Sequence, residues 1–193
     1  MRIDKNDLLL YAVTDRQWLG EASLAEQLEE AIQAGVTVVQ LREKELDFDA
    51  FVSLGKELQA VAKRHRIPFI INDAVDVALA LDADGVHVGQ SDMQAGDVRS
   101  RIGEEKILGV SAHSVEEALA AERNGADYLG VGAIYGTATK PDANTLSIET
   151  LQQICQAVSI PVVGIGGIAE GNILNLNGSG IDGVAVVSAI FAQ

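Results

Sequence analysis

Eight short runs of β-favouring apolar residues recur along the 193-residue chain and constrain its fold more than any other feature. Between them lie stretches with apolar residues at helical spacing, as at 23–34, 47–65, 114–123 and 146–158. Strands that alternate with helices pair in parallel through right-handed crossovers. Eight such units without a linker predict a single (β/α)8 TIM barrel over residues 1–193, rather than an open doubly wound sheet. The runs are 8–14, 36–41, 68–71, 85–88, 107–110, 128–131, 161–165 and 183–187.

The end of the chain departs from this repeat. Few residues follow the eighth run, so we expect the eighth helix to be short or absent. The outward-facing side chains of Val184 and Val186 would then lack their usual cover, and exposed apolar patches are rare on monomers. We therefore expect this seam, where the eighth strand meets the first, to be covered by a second subunit, by the segment 1–7 folded back, or by a continuation of the chain. The polar, glycine-containing stretch 169–178 is expected to be the seventh helix.

The charge balance narrows the choice of partners. The chain has 28 acidic and 14 basic residues, a net charge of −14. Nucleic acids and anionic membrane surfaces would be repelled, which favours small-molecule partners. The single cysteine excludes an internal disulfide, and neither a membrane-spanning run nor an apolar signal core is evident. We expect a cytoplasmic protein, for which a homo-oligomer is one of the ways to cover the seam.

Polar residues at the end of the second run indicate an anion site. In parallel barrels the chemistry lies at the carboxyl ends of the strands. The period of two places Gln40, Arg42 and Lys44 on one face, opposite the apolar Val39 and Leu41. Two cations and an amide suit a diphosphate. The alternative is a solvated strand end with surface charges.

The third and fourth runs are each followed by an aspartate. Asp73 and Asp92 would meet at neighbouring strand ends, where carboxylates completed by phosphate oxygens and water hold Mg²⁺. Alternatively, Asp73 caps a helix over 74–81 and Asp92 is an ordinary loop residue. His87 is expected to point inward, and we assign it no role.

Further polar positions follow the later runs. Ser111 follows the fifth run, where it could also start a helix. A loop after the sixth run carries Thr137, Thr139 and Lys140, which could bind a phosphate or close over a site. Gly167 follows the seventh run, where backbone N–H groups commonly hold phosphate, although a tight turn also requires glycine. The eighth run ends at Val187 and Ser188.

Taken together, these motifs resemble the thiamine phosphate synthase family over nearly the whole chain. The motifs are VQLREK at 39–44, IND at 71–73, GVHVGQSD at 85–92, TATK at 137–140 and IGGI at 165–168. The resemblance implies a transferase that joins 4-amino-2-methyl-5-hydroxymethylpyrimidine diphosphate to 4-methyl-5-(2-phosphoethyl)thiazole. The products are thiamine phosphate and pyrophosphate, and pyrophosphate departs before the thiazole nitrogen attacks.

The resemblance also implies roles for individual residues. The pyrimidine diphosphate would be held by Gln40, Arg42, Lys44, Asn72, Ser111 and Lys140. Mg²⁺ would be bound by Asp73 and Asp92. The thiazole phosphate would be held by Thr137, Thr139, Gly167, Val187 and Ser188. The residues expected to act in catalysis are Arg42, Lys44, Ser111 and Lys140.

Three features depart from the family pattern: Ala74, the polar, glycine-containing stretch 169–178, and the missing last helix. Two other functions also remain open. Ala74 stands where family members commonly carry an arginine, which puts the strength of diphosphate binding in doubt. A thiazole tautomerase of the same fold would need the phosphate site and a histidine, but neither the two aspartates nor the cationic set on the second run. A non-catalytic sensor of phosphorylated ligands would bind without turnover.

Overall fold

Eight parallel strands close into one barrel in chain order, which confirms the predicted fold class. The structure is a computed structural model that describes residues 3–18, 22–136 and 145–192. Each strand pairs with its sequence neighbours, and β1 pairs with β8 to close the barrel. The strands are β1 (Leu10–Val13), β2 (Val38–Leu41), β3 (Phe69–Asn72), β4 (Gly85–Val88), β5 (Ile107–Ala112), β6 (Tyr128–Val131), β7 (Val162–Ile165) and β8 (Gly183–Val186).

Helices cover the outside of the barrel. They are α1 (Leu24–Gln33), α2 (Phe48–His65), α3 (Val75–Leu81), α4 (Ala95–Ile102), α5 (Val115–Arg123), α6 (Ile148–Ala157) and α7 (Ser188–Phe191). The start of α1 follows its sequence signal, because Ser23 and Glu26 form a reciprocal capping box. Of the helices in the described ranges, none is both long and apolar enough to cross a membrane.

Strand alternation divides the core into two layers. Outward residues such as Val39 and Leu41 pack in the large cluster between strands and helices. Inward residues such as Val38 and Ile70 form a second cluster inside the barrel. Ile3, from the segment before β1, joins this inner cluster. The alternation therefore separates the side chains that hold the helices from those that shape the interior.

The expected seventh helix over 169–178 is wrong. After β7 the structure has a single 3₁₀ turn, Ile173–Leu176. Asn172 explains the difference, since its Oδ1 accepts from Ala169 N at 2.9 Å and its Nδ2 donates to Gly167 O at 2.9 Å. These bonds hold the chain in a loop that competes with a helix.

The expected bare seam at β8 is also wrong. Val184 and Val186 are each only 7% exposed, and they share a cluster with Phe191, which is 2% exposed. The two valines are thus buried although α7 is short, and the buried Phe191 of α7 belongs to the same core cluster. The seam gives no reason to require a second subunit.

Candidate active site

A cavity of about 180 Å³ opens at the carboxyl ends of the strands. Its walls come from all eight strands or the loops that directly follow them. The cavity is thus at the end of the barrel where the sequence predicted it. The predicted site residues that line it are Gln40, Arg42, Asn72, Ser111, Gly167, Val187 and Ser188.

The cationic set on β2 is only partly brought together. Gln40 is buried and Arg42 is half-buried at the cavity wall, but Lys44 is exposed and does not line the cavity. The reason is that β2 ends at Leu41, so strand alternation does not extend to Lys44. The Arg42 backbone N–H donates to Thr14 Oγ1 at 3.1 Å, which fixes the start of its loop. Its Nη1 lies 3.8 Å from Asp15 Oδ2, a carboxylate that the sequence reasoning did not single out.

Asp73 and Asp92 come together at the ends of β3 and β4. Partial burial, and then the charge and hydrogen bonding of Asp92, raise the pKa of Asp73 to about 6, while Arg42 opposes the shift. Asp92 is held in place because its Oδ2 accepts from Gly89 N at 2.7 Å. Asp73 does not cap α3, which begins after Ala74 without a side-chain cap. The capping alternative for Asp73 is therefore not realised, and the two carboxyl groups repel each other when ionised.

This pair fits Mg²⁺ better than a metal held by protein ligands alone. Across the described ranges, no group of three or more His, Cys, Asp or Glu side chains could hold a metal ion. Mg²⁺ is commonly bound through one or two carboxylates, with phosphate oxygens and water completing its shell. Two repelling carboxylates beside the Arg42 guanidinium are compatible with such a donor set. A bound cation would also relieve their repulsion.

A chain of largely buried polar side chains crosses the barrel at the cavity wall. Gln40 Nε2 donates to Tyr11 Oη at 2.8 Å, and Tyr11 Oη lies 2.7 Å from Tyr128 Oη. His87 Nδ1 is 3.0 Å from Tyr128 Oη, and His87 Nε2 is 3.0 Å from Ser111 Oγ. Burial lowers the pKa of His87 to about 4, so its ring is neutral at pH 7. We call these five residues the inner polar chain.

Sequence reasoning predicted the inward direction of His87 but missed both tyrosines of the inner polar chain. Tyr11 shares a face of β1 with Val13, and Tyr128 shares a face of β6 with Gly130, so strand alternation carried the signal for their direction. Their meeting depends on closure of the barrel, since 117 residues separate them. A phenol inside an apolar cluster gives no local sign that it has a partner.

The loop after β7 forms the opposite side of the cavity. Gly166 and Gly167 have φ values of 100° and 63°, which favour glycine. A Cβ added at Gly167 would lie 2.5 Å from Gly136 O, so the backbone is tightly packed there. Val187 and Ser188 line the same cavity from the end of β8. The predicted Thr137, Thr139 and Lys140 lie outside the described residues.

Known proteins match the chain over almost its full length. A family model described as thiamine monophosphate synthase matches residues 10–190. The thiamine-phosphate synthase of Clostridium acetobutylicum is 54% identical over 186 residues, covering 96% of this chain and 88% of the relative. That of Methanobrevibacter smithii is 51% identical over 184 residues, covering 95% and 88%. The solved structure of thiamine phosphate pyrophosphorylase from Pyrococcus furiosus has a TM-score of 0.90 and 40% identity, covering 98% of this chain and 90% of that one.

Proposed function

The chain belongs to the thiamine monophosphate synthase family, and from this premise we propose how its residues divide the work of the coupling reaction. The reaction joins 4-amino-2-methyl-5-hydroxymethylpyrimidine diphosphate to 4-methyl-5-(2-phosphoethyl)thiazole and releases pyrophosphate. The observation that carries the division is the proximity of Arg42, which lines the cavity, to the Asp73–Asp92 pair, which lies outside the cavity wall at the ends of β3 and β4.

The pyrimidine diphosphate binds on the side of β2 to β5. Gln40, Asn72 and Ser111 line this side and offer uncharged polar groups to the heterocycle and its substituents. Arg42 provides a planar, permanently charged donor for the diphosphate. Lys44 and Lys140 complete the phosphate ligands in this proposal. Lys44 is exposed at the rim, so its long side chain is free to turn toward a bound diphosphate.

The resident cofactor is Mg²⁺, held by Asp73 and Asp92 together with the diphosphate. The support is the donor set, two neighbouring carboxylates whose repulsion a cation relieves. When bound, Mg²⁺ supplies positive charge to the leaving pyrophosphate. Gly89 N holds the Asp92 carboxylate in a fixed position before substrate arrives, which lowers the cost of assembling the site.

Catalysis consists mainly of stabilising the charge that develops as pyrophosphate departs. Ser111 Oγ lies 3.0 Å from His87 Nε2 at the cavity wall, but the mechanism requires no nucleophile with its base if the thiazole nitrogen attacks after departure. Arg42, Lys44 and Lys140 stabilise the leaving group, and Ser111 contributes a hydroxyl at the cavity wall. The apolar part of the wall, which includes Val13 and Ile165, limits water near the pyrimidine-methyl cation.

The thiazole phosphate binds on the side of β7 and β8. Gly166 and Gly167 line the cavity without side chains, so that backbone N–H groups there can approach phosphate oxygens closely. Val187 and Ser188 belong to the same wall. Thr137 and Thr139 are assigned to this phosphate from the resemblance. The two substrates therefore enter one cavity from different sides, which brings the thiazole nitrogen toward the pyrimidine methylene.

A single assay tests this function. The purified protein is incubated with both substrates, and thiamine phosphate and pyrophosphate are measured with and without EDTA. We expect coupling that EDTA abolishes and added Mg²⁺ restores. Isomerisation of a thiazole substrate without coupling would indicate the tautomerase, and binding without turnover would indicate a sensor. Full activity in EDTA would overturn the magnesium assignment.

The domain organisation, location and partners of the protein are also part of the proposal. We propose that residues 1–193 act as one barrel domain in the cytoplasm, on small phosphorylated substrates and without a nucleic-acid or membrane partner. The net charge of −14 supports this, because it disfavours polyanionic partners. Fractionation of cells with an antibody to the protein checks the location, and recovery in the membrane fraction would contradict it.

A further inference from the structure

Three buried side chains have no role in the proposed mechanism. Tyr11, Tyr128 and His87 are 1%, 0% and 8% exposed. They connect Gln40 on β2 to Ser111 on β5, and all five residues line the cavity. Polar groups inside a barrel cost free energy unless each has a partner. The inner polar chain satisfies that requirement while joining two walls of the site.

The hydrogen bonds of the inner polar chain have one consistent donor-to-acceptor order. The structure turns Gln40 Nε2 toward Tyr11, and an amide nitrogen only donates, so Tyr11 Oη accepts. Among the residues that the structure describes, the one acceptor left for the Tyr11 proton is Tyr128 Oη. With that bond formed, Tyr128 donates its own proton to His87 Nδ1. The opposite order would leave the Tyr11 proton buried without an acceptor, which is costly.

The direction at His87 determines what Ser111 can do. A neutral imidazole whose Nδ1 accepts carries its proton on Nε2. His87 Nε2 therefore donates to Ser111 Oγ, 3.0 Å away. The Ser111 hydroxyl, having accepted this bond, keeps its own proton for the cavity. It is thus presented to a ligand as a donor.

We propose that Tyr11, Tyr128 and His87 are positioning residues that hold Ser111 as a hydrogen-bond donor to an acceptor atom of the pyrimidine substrate. The proposal rests on the proposed function for the identity of that substrate. The direction of the chain is a property of the ligand-free protein and does not depend on it.

The interior is shaped to accommodate this chain. A Cβ added at Gly109 would lie 2.2 Å from Tyr128 Cζ and 2.4 Å from His87 Nδ1. One added at Gly130 would lie 3.0 Å from His87 Cε1. The two glycines thus leave the space that the rings fill. The lowered pKa of His87 agrees with a neutral ring of fixed tautomer over the neutral pH range.

The tautomer of His87 tests the direction. Two-bond ¹H–¹⁵N correlation spectra of the ¹⁵N-histidine protein distinguish a proton on Nε2 from one on Nδ1, and His87→Gln identifies the signal. We expect the Nε2–H form in the parent protein and a partial loss of it in Tyr11→Phe, because Tyr128 Oη no longer accepts from Tyr11 there and can accept from His87 Nδ1 instead. Tyr128→Phe should lose the fixed tautomer. An Nδ1–H ring in the parent protein would overturn the proposal.

Tyr135, the third tyrosine of the protein, provides a matched control. Tyr135 Oη donates to Asn172 O at 3.2 Å and lies outside the inner polar chain. Tyr135→Phe removes the same atom from a half-buried ring, so it reports the effect of losing any such hydroxyl. We expect its His87 signal to match that of the parent protein. A tautomer change in this variant equal to that in Tyr128→Phe would count against a specific role for Tyr128.

Steady-state kinetics test the consequence for substrate. Tyr128→Phe should raise KM for the pyrimidine diphosphate about three- to tenfold, the effect of weakening one hydrogen bond. Because that bond forms in the ground state as well, kcat and KM for the thiazole phosphate should stay within about twofold. Equal rises in both KM values, in a variant whose melting temperature is unchanged, would overturn the positioning role. An inactive parent protein would instead refute the proposed function and leave the tautomer result standing.

Discussion

Replacing Asp92 by Asn should make the metal-free protein more stable and nearly inactive. The carboxylate of Asp92 raises the pKa of Asp73 through charge and hydrogen bonding, so the pair opposes folding when both groups are ionised. The introduced amide keeps an oxygen that can accept from Gly89 N, as Asp92 Oδ2 does at 2.7 Å. The substitution thus removes the charge and retains the local bond.

The size of the effect follows from the shift at Asp73. A rise in its pKa from 3.8 to about 6 corresponds to ~3 kcal/mol before solvent screening. Burial is the largest cause and Asp73 is partly exposed, so the share of Asp92 is about 1 kcal/mol. Because the folded pKa of Asp73 is raised, its protonation stabilises the fold below pH 3.8, and this contribution is lost as pH rises through about 6. At pH 7 both groups repel each other, so removing the Asp92 charge should raise the melting temperature by about 2–4 °C.

Thermal melts in EDTA, run from pH 4 to pH 7.5, measure this difference. Glu104→Gln serves as the control, because Glu104 is exposed and its replacement changes the net charge equally. Melts with Mg²⁺ and pyrophosphate complete the test. The parent protein should be stabilised by the ligands, whereas Asp92→Asn should respond weakly. Its coupling rate should fall by about 10²–10³.

Two results would refute the reasoning. If Asp92→Asn melts below the control in EDTA at pH 7, the carboxylate contributes more by its contacts than it costs by repulsion. If Mg²⁺ with pyrophosphate stabilises both proteins equally, Asp92 is not a ligand.

Three other substitutions test separately the two substrate sides of the cavity and the stability of the barrel. Arg42→Ala should raise KM for the pyrimidine diphosphate at least tenfold and leave thiazole phosphate binding unchanged in calorimetry, since a charge-assisted bond is lost on one side only. Gly167→Leu should block thiazole phosphate binding, because its Cβ would meet Gly136 O at 2.5 Å where φ is 63°, while titration with the pyrimidine diphosphate still shows binding. Arg99→Met should cost about 2–4 kcal/mol in urea unfolding without changing kcat, because Arg99 donates to the Gly125 carbonyl and to Asp127 Oδ2 beneath the barrel; an unchanged denaturation midpoint would contradict this.

Strand alternation predicted the inner wall well because each strand end is short and regular. Gln40 and Ser111 follow the period of two from the apolar residues before them, and both line the cavity. The same rule failed for Lys44 because β2 ends at Leu41 and the chain turns. Only the coordinates show where a period stops applying.

Contacts between distant segments could not be predicted from the sequence. The bond from Tyr11 to Tyr128 requires the barrel to close with the register that the coordinates show. The loop of 169–178 depends on Asn172 bonding back to Gly167 O, which competes with the helix that composition suggested. Asp73 has a φ of 60° and leaves the capping position to Ala74, so a local capping signal was misleading.

The glycines at the centre of the barrel limit the order in which this protein can change over evolution. Gly109 cannot acquire a side chain while Tyr128 and His87 keep their rings, since a Cβ would lie within 2.4 Å of both. Shrinking either ring first breaks the connection between Gln40 and Ser111. Neither single step is neutral, so the two kinds of position are coupled by epistasis. A lineage that loses both rings becomes free to fill Gly109, and return of Tyr128 and His87 is then blocked by the new side chain.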